Sequence, residues 1–166
     1  EKIKDKNGND KLLLDEWRDS LHYGIKHRFK DTNIILQGGV DDVWFNTKTK
    51  ELIVVDYKSQ ASPKKVSQDT YFDKSGYHGS YKTQLDFYAY LMKGMNLEYG
   101  ISDDSYLYVV NGLDVEEGFN AEIKFSETLI HHKIETDYLD YEIQKMIDTI
   151  NSEKIPESNK SCKNCA

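Results

Sequence analysis

Between Gly39 and Ser59 two runs rich in Val, Ile, Leu and aromatic residues, GVDDVWFN and ELIVVDYKS, are separated only by Thr47, Lys48, Thr49 and Lys50. So short a polar break between two such runs predicts an antiparallel hairpin. Side chains alternate between the faces of a strand, so Leu52, Val54, Asp56 and Lys58 share one face. A turn centred between Lys48 and Thr49 makes opposed residue numbers sum to 97. Val43 then stands opposite Val54 and Phe45 opposite Leu52, as the apolar pattern requires, and Asp41 stands opposite Asp56.

A charged pair at the end of an apolar stripe contradicts simple packing and marks a candidate site. Opposed carboxylates with Cβ atoms about 5 Å apart repel unless something positive lies between them. A divalent cation is the natural occupant. Asp41, Asp56, the backbone carbonyl of Tyr57 and waters form an all-oxygen set suited to Mg²⁺ or Mn²⁺ rather than zinc. Lys58, on the same face, is placed to hold or deprotonate a water or to stabilise charge on a phosphorane. These are the parts of a phosphodiester hydrolase. A register slip of one residue would present Asp42 instead, with Val40 and Trp44, so Asp42 is the alternative acid.

A helix is predicted from Tyr81 to Lys93, with Leu85, Ala89 and Met92 on its buried face and Gly94 as its stop. Gln84 and Tyr88, four residues apart, share a face beside that stripe and offer donor, acceptor and stacking groups to a nucleic-acid strand. The series GGVDDVW, ELIVVDYKSQ and QLDFY resembles the RecB-like branch of the PD-(D/E)XK nuclease superfamily. That resemblance implies an α/β restriction-endonuclease-like core with a mixed central β-sheet flanked by helices. It implies a nuclease acting on DNA, with Asp41 and Asp56 as metal ligands, Lys58 as the catalytic lysine, and Gln84 and Tyr88 as the Q-x-x-x-Y pair. The branch also carries a further metal ligand on an N-terminal helix, for which Glu16, His22, His27 or a residue before Glu1 are the candidates. Some relatives bind an iron-sulfur cluster through four cysteines; here only Cys162 and Cys165 are present, so a cluster would need cysteines from beyond these termini. In the chain as it stands two free thiols are expected. His78, His131 and His132 show no metal-ligand spacing.

The other elements are read from the same periodicities. A polar leader over 1–9 precedes a helix from Asn9 or Asp10 to Leu21, on the stripe Leu13, Trp17, Leu21 and Gly24. Asn33 to Gln37 is a first strand. A polar loop spans Gln60 to Ser80. Strands follow at Ser105 to Val110 and, whole or in two pieces, Ala121 to Ile134. A last helix, Asp137 to Asn151, has Leu139, Ile143, Ile147 and Ile150 as its stripe, and a polar tail covers 152–166. The whole is expected to be one domain.

Leu, Ile, Val and Phe supply 40 of 166 residues, enough for a core. With 22 basic and 29 acidic side chains the net charge is -7, which excludes coating of nucleic acid by bulk charge. Lys64, Lys65, Lys74 and Lys82 are the candidates for a local phosphate-binding groove. The absence of a disulfide framework and of a long apolar run leads to the expectation of a cytoplasmic protein. Two other readings stay open: a nuclease-like fold that binds nucleic acid or protein without turnover, and an acidic interaction domain with no site.

Overall fold

The computed structural model describes residues 2–4, 7–72, 78–113, 121 and 123–158. The chain divides into two compact units, Glu1–Glu135 and Thr136–Ala166. The first unit is built on the hairpin. Strand β5 (Asp42–Asn46) pairs antiparallel with β6 (Glu51–Ala61), and every pair from Asp42↔Val55 to Asn46↔Glu51 keeps the register read from the sequence. The Asn46 side chain closes the turn by accepting the Lys48 and Thr49 amides at 3.0 and 3.3 Å. Lys50 takes a left-handed conformation at φ 61° and its amide returns to the Asn46 carbonyl.

On its other side β6 runs parallel to β8 (Asp104–Gly112), which pairs antiparallel with β9 (Phe125–Lys133). A two-residue strand, β7 (Gly100–Ile101), also lies parallel to β6. The sheet is therefore mixed, in the order β5-β6-β8-β9. Parallel neighbours need a crossover, and the helix α3 (His78–Gly94) lies in the β6-to-β8 connection. Its Leu85, Ala89, Leu91 and Met92 pack with Val54, Leu107, Val109 and Ile130 in one core. Each of these eight is at most 1% exposed, so every methylene there contributes to stability by leaving water. The fold is α/β, a mixed sheet with helices packed against it.

The N-terminal region departs from the expected long helix. Strand β1 (Lys2–Lys4) pairs with β2 (Asp10–Leu12), taking the residues of the first helical turn, and α1 is confined to Leu13–Arg18. The helix ends because the Asp19 and Gly24 amides both turn back to the Glu16 carbonyl and Gly24 adopts φ +66°. A Cβ on Gly24 would stand 2.4 Å from the Gly38 carbonyl oxygen, so the turn requires glycine. Leu21, on the expected stripe, is 87% exposed. Strand β3 (Ile25–Arg28) follows and pairs with β4 (Ile35–Gly38). It escaped the periodicity because only Ile25 of its four residues is a buried apolar side chain. The polar loop likewise contains a short helix, α2 (Gln68–Tyr71).

In the second unit α4 (Leu139–Ile150) buries Leu139 and Ile143, whereas Ile150, the end of the expected stripe, is exposed. Among the described residues no helix is long and apolar enough to cross a membrane.

Candidate active site

Asp56 sits where β6 passes between β5 and β8, and it is 2% exposed. Its carboxylate forms a close ion pair with Lys58, two residues along the same face. Gln84 from α3 completes the group: its Nε2 donates to Asp56 Oδ1 at 3.1 Å and to the Tyr88 hydroxyl at 2.9 Å, and its Oε1 accepts from Lys58 Nζ at 3.1 Å. The amide is thus oriented by both halves of the ion pair. The Lys58 ammonium also lies 4.6 Å from the centre of the Tyr81 ring, in the geometry of a cation–π contact.

Asp41 precedes the first residue of β5 and is exposed. Its Oδ2 accepts the Tyr57 amide at 2.8 Å, which brings its carboxylate beside that of Asp56. Burial pushes the Asp56 carboxyl above its ordinary pKa; the Lys58 contact opposes this, and the charge of Asp41 adds to it. Tyr88 is raised too, by burial first and then by the Asp56 and Asp41 charges, which keeps the phenol protonated. Its ring is seated close to the backbone, since a Cβ on Gly38 would lie 2.9 Å from Tyr88 Cε1. Asp41, Asp56, Lys58, Gln84 and Tyr88 are therefore brought together at one end of the sheet face covered by α3.

Asp42, the alternative acid, is turned elsewhere. Its Oδ2 accepts the Tyr57 hydroxyl at 2.5 Å and its Oδ1 accepts Arg18 at 3.2 Å. The Tyr57 ring stands edge-on to Tyr108 at 5.7 Å. Because the hydrogen bond goes to a carboxylate, the Tyr57 phenol is raised above its usual pKa.

The donor set fits a hard cation. Among the described residues the buried Asp56 Oδ2 accepts no hydrogen bond, its close neighbour being the Lys58 ammonium, and a second carboxylate stands alongside. Two carboxylates, a carbonyl and water suit Mg²⁺ better than a thiolate or imidazole metal. No third acid, histidine or cysteine joins them among the described residues. The three candidates for that role are engaged elsewhere: Glu16 faces Lys11 at 3.8 Å, His22 bonds Asp19 at 3.0 Å, and His27 packs edge-on to Tyr90 and against Gly94.

Of the candidate phosphate contacts, Lys64 and Lys65 are exposed, and Lys82 lies over the Phe72 ring at 4.8 Å. Lys74, Cys162 and Cys165 lie outside the described residues. The sequence reading missed Tyr81 and Arg18 because each acts by reaching another chain segment, which strand or helix periodicity does not register. It also missed Asn111. That buried side chain accepts from Gln60 and donates to the carbonyls of Ser62 and Lys64, fixing the start of the loop beyond Lys58.

No curated protein and no solved structure matches the chain significantly. The family model of the PD-(D/E)XK nuclease superfamily matches residues 10–166, a span that holds both acids, the lysine and the Gln-Tyr helix. With that match over nearly its whole length, and with the acid-acid-lysine arrangement at the end of its mixed sheet, the chain belongs to the PD-(D/E)XK nuclease superfamily.

Proposed function

We propose that the protein is a metal-dependent nuclease of the RecB-like branch that hydrolyses phosphodiester bonds in DNA. The observation that carries this reading is the contact of Lys58 with Asp56 and Gln84, with the Asp41 carboxylate at its side. Asp41, Asp56 and the Tyr57 carbonyl would hold Mg²⁺ or Mn²⁺, which when bound supplies Lewis acidity toward the phosphate and makes water a better nucleophile near neutral pH.

The chain's own groups do the rest. Lys58 keeps its ammonium at the acids through Gln84 and Tyr81, where it orients the attacking water and offsets the negative charge that grows on the phosphoryl oxygens. Gln84 holds Asp56 and Lys58 at working distance. Tyr88, protonated and at the edge of this group, orients the substrate strand, and the exposed Lys64 and Lys65 contribute phosphate contacts beyond it.

The test is cleavage of single- and double-stranded DNA with Mg²⁺ or Mn²⁺. Lys58→Ala and Asp56→Ala are each expected to reduce the rate by about 10³-fold, the scale for losing a positioned electrostatic group, in protein that is still folded. If wild-type protein leaves both substrates intact with either metal, a fold that binds without turnover becomes the better reading.

A further inference from the structure

Asp41 lies outside the hydrogen-bonded ladder of β5, so sheet pairing alone does not fix it. Yet it must stay beside Asp56, a neighbour that repels it. The forces that hold it come from α1 and from Tyr57. One edge of the Arg18 guanidinium does two things at once: Nε donates to the Asp41 carbonyl at 2.7 Å, and Nη2 donates to Asp42 Oδ1 at 3.2 Å. The Tyr57 hydroxyl donates to the other oxygen of Asp42, while the Tyr57 amide holds the Asp41 carboxylate. Next to this bracket, the Val40 amide bonds the Trp17 carbonyl at 3.2 Å, which ties the incoming chain to the same helix.

We infer that Arg18 is a positioning residue for the metal ligand Asp41, acting through a fork that spans the Asp41 carbonyl and the Asp42 carboxylate and is closed by Tyr57. The inference rests on the nuclease reading of Asp41. Asp42 is accordingly not a spare ligand but the anchor that fixes its neighbour. The planar fork matters, because a lysine ammonium has no pair of parallel N–H groups to reach both oxygens.

Charge and position predict opposite signs here. Arg18 is a cation close to a cation site, so simple Coulomb reasoning expects its removal to tighten metal binding. Positioning expects the reverse, a loss of about tenfold in affinity, as when a group behind a metal ligand is removed.

The experiment is titration of the whole chain with Mn²⁺ by calorimetry, without DNA, below the melting temperature. Arg18→Ala and Arg18→Lys are both expected to bind Mn²⁺ about tenfold more weakly than wild type. Tyr57→Phe, which changes no charge, is expected to weaken it by about threefold, and it carries the test if the Arg18 variants do not fold. Unchanged or tighter binding in Arg18→Ala, wild-type affinity in Arg18→Lys, or no change in Tyr57→Phe overturns the inference while leaving the nuclease reading in place. Absence of Mn²⁺ binding in wild-type protein, together with absence of cleavage, overturns the nuclease reading and this inference with it.

Discussion

Among the described residues two aspartates are almost wholly buried, and α3 touches both. Asp56, at 2% exposure, faces Gln84; Asp86, at 3%, lies on the helix itself, two residues after Gln84. Around Asp86 the accounts balance. One carboxylate oxygen meets His132 Nε2 at 2.8 Å and the Glu135 amide at 2.9 Å, so α3 is strapped to the end of β9. Asp56 is surrounded differently: one oxygen has Gln84, the other the Lys58 ammonium, and a second acid stands beside it. Burial of an acid is thus no sign of function by itself. What separates the two is the second acid: Asp41 adds its charge beside Asp56, where Lys58 is already paired.

The sharpest way to break this comparison is to truncate both acids. Asp56→Ala is expected to lower cleavage by about 10³-fold and to leave the fold, as above. Asp86→Ala is expected to do the reverse, because it strands the Glu135 amide and the His132 ring in a half-buried place. The expected cost is about 3 kcal/mol, or roughly 10 °C in melting temperature for a chain of this size, with the rate per folded molecule unchanged. Thermal unfolding and cleavage measured side by side check it. A large loss of activity in folded Asp86→Ala would erase the distinction.

The hairpin half of this contrast was legible in the sequence, and the strap was not. Strand alternation and a four-residue turn determine the β5–β6 register, so Asp41, Asp56 and Lys58 could be assembled from the order of residues alone. The Gln84–Tyr88 pair was legible because helical spacing puts both on one face. Asp86 and His132 are 46 positions apart and meet only through the packing of α3 on β9. Nothing in either local pattern marks them. The N-terminal reading failed for a related reason: the spacing of Leu13, Trp17 and Leu21 suits a helix, but β1 pairing and the Gly24 turn, both contacts between segments, outweigh that local preference.

A smaller effect sharpens the comparison through pH. In the metal-free protein the folded pKa of Asp56 lies above its unfolded value, chiefly through burial. Between those two values the native state binds more protons than the unfolded chain. The contribution of Asp56 to stability is therefore greatest below the unfolded pKa and falls away as pH rises through the folded one. Asp56→Asn has no such titration. The melting temperature of Asp56→Asn relative to wild type, measured with EDTA, is expected to rise with pH above the ordinary carboxylate range. Asp103 and Asp104, whose pKa values are lowered by Lys93 and His131, shift stability the opposite way at more acidic pH, and they cancel in the difference because both proteins carry them. A difference that does not change with pH would mean that burial and Asp41 do not raise the Asp56 carboxyl.

The smallest effect concerns Tyr88, at the margin of the charged group. Its hydroxyl accepts from Gln84, but the Gln84 amide is oriented independently by Asp56 and Lys58, and the ring is held against Gly38. Tyr88→Phe keeps the ring and removes only the hydroxyl, so the acids and the lysine should stay where they are. If the phenol serves the substrate strand, the loss should appear in KM for DNA, by about fivefold, the equivalent of one hydrogen bond of about 1 kcal/mol, with kcat nearly unchanged. A fall in kcat at constant KM would instead assign Tyr88 to the internal network that holds Gln84. Steady-state kinetics on a short oligonucleotide separate the two, because strand binding and the placement of the lysine enter different constants.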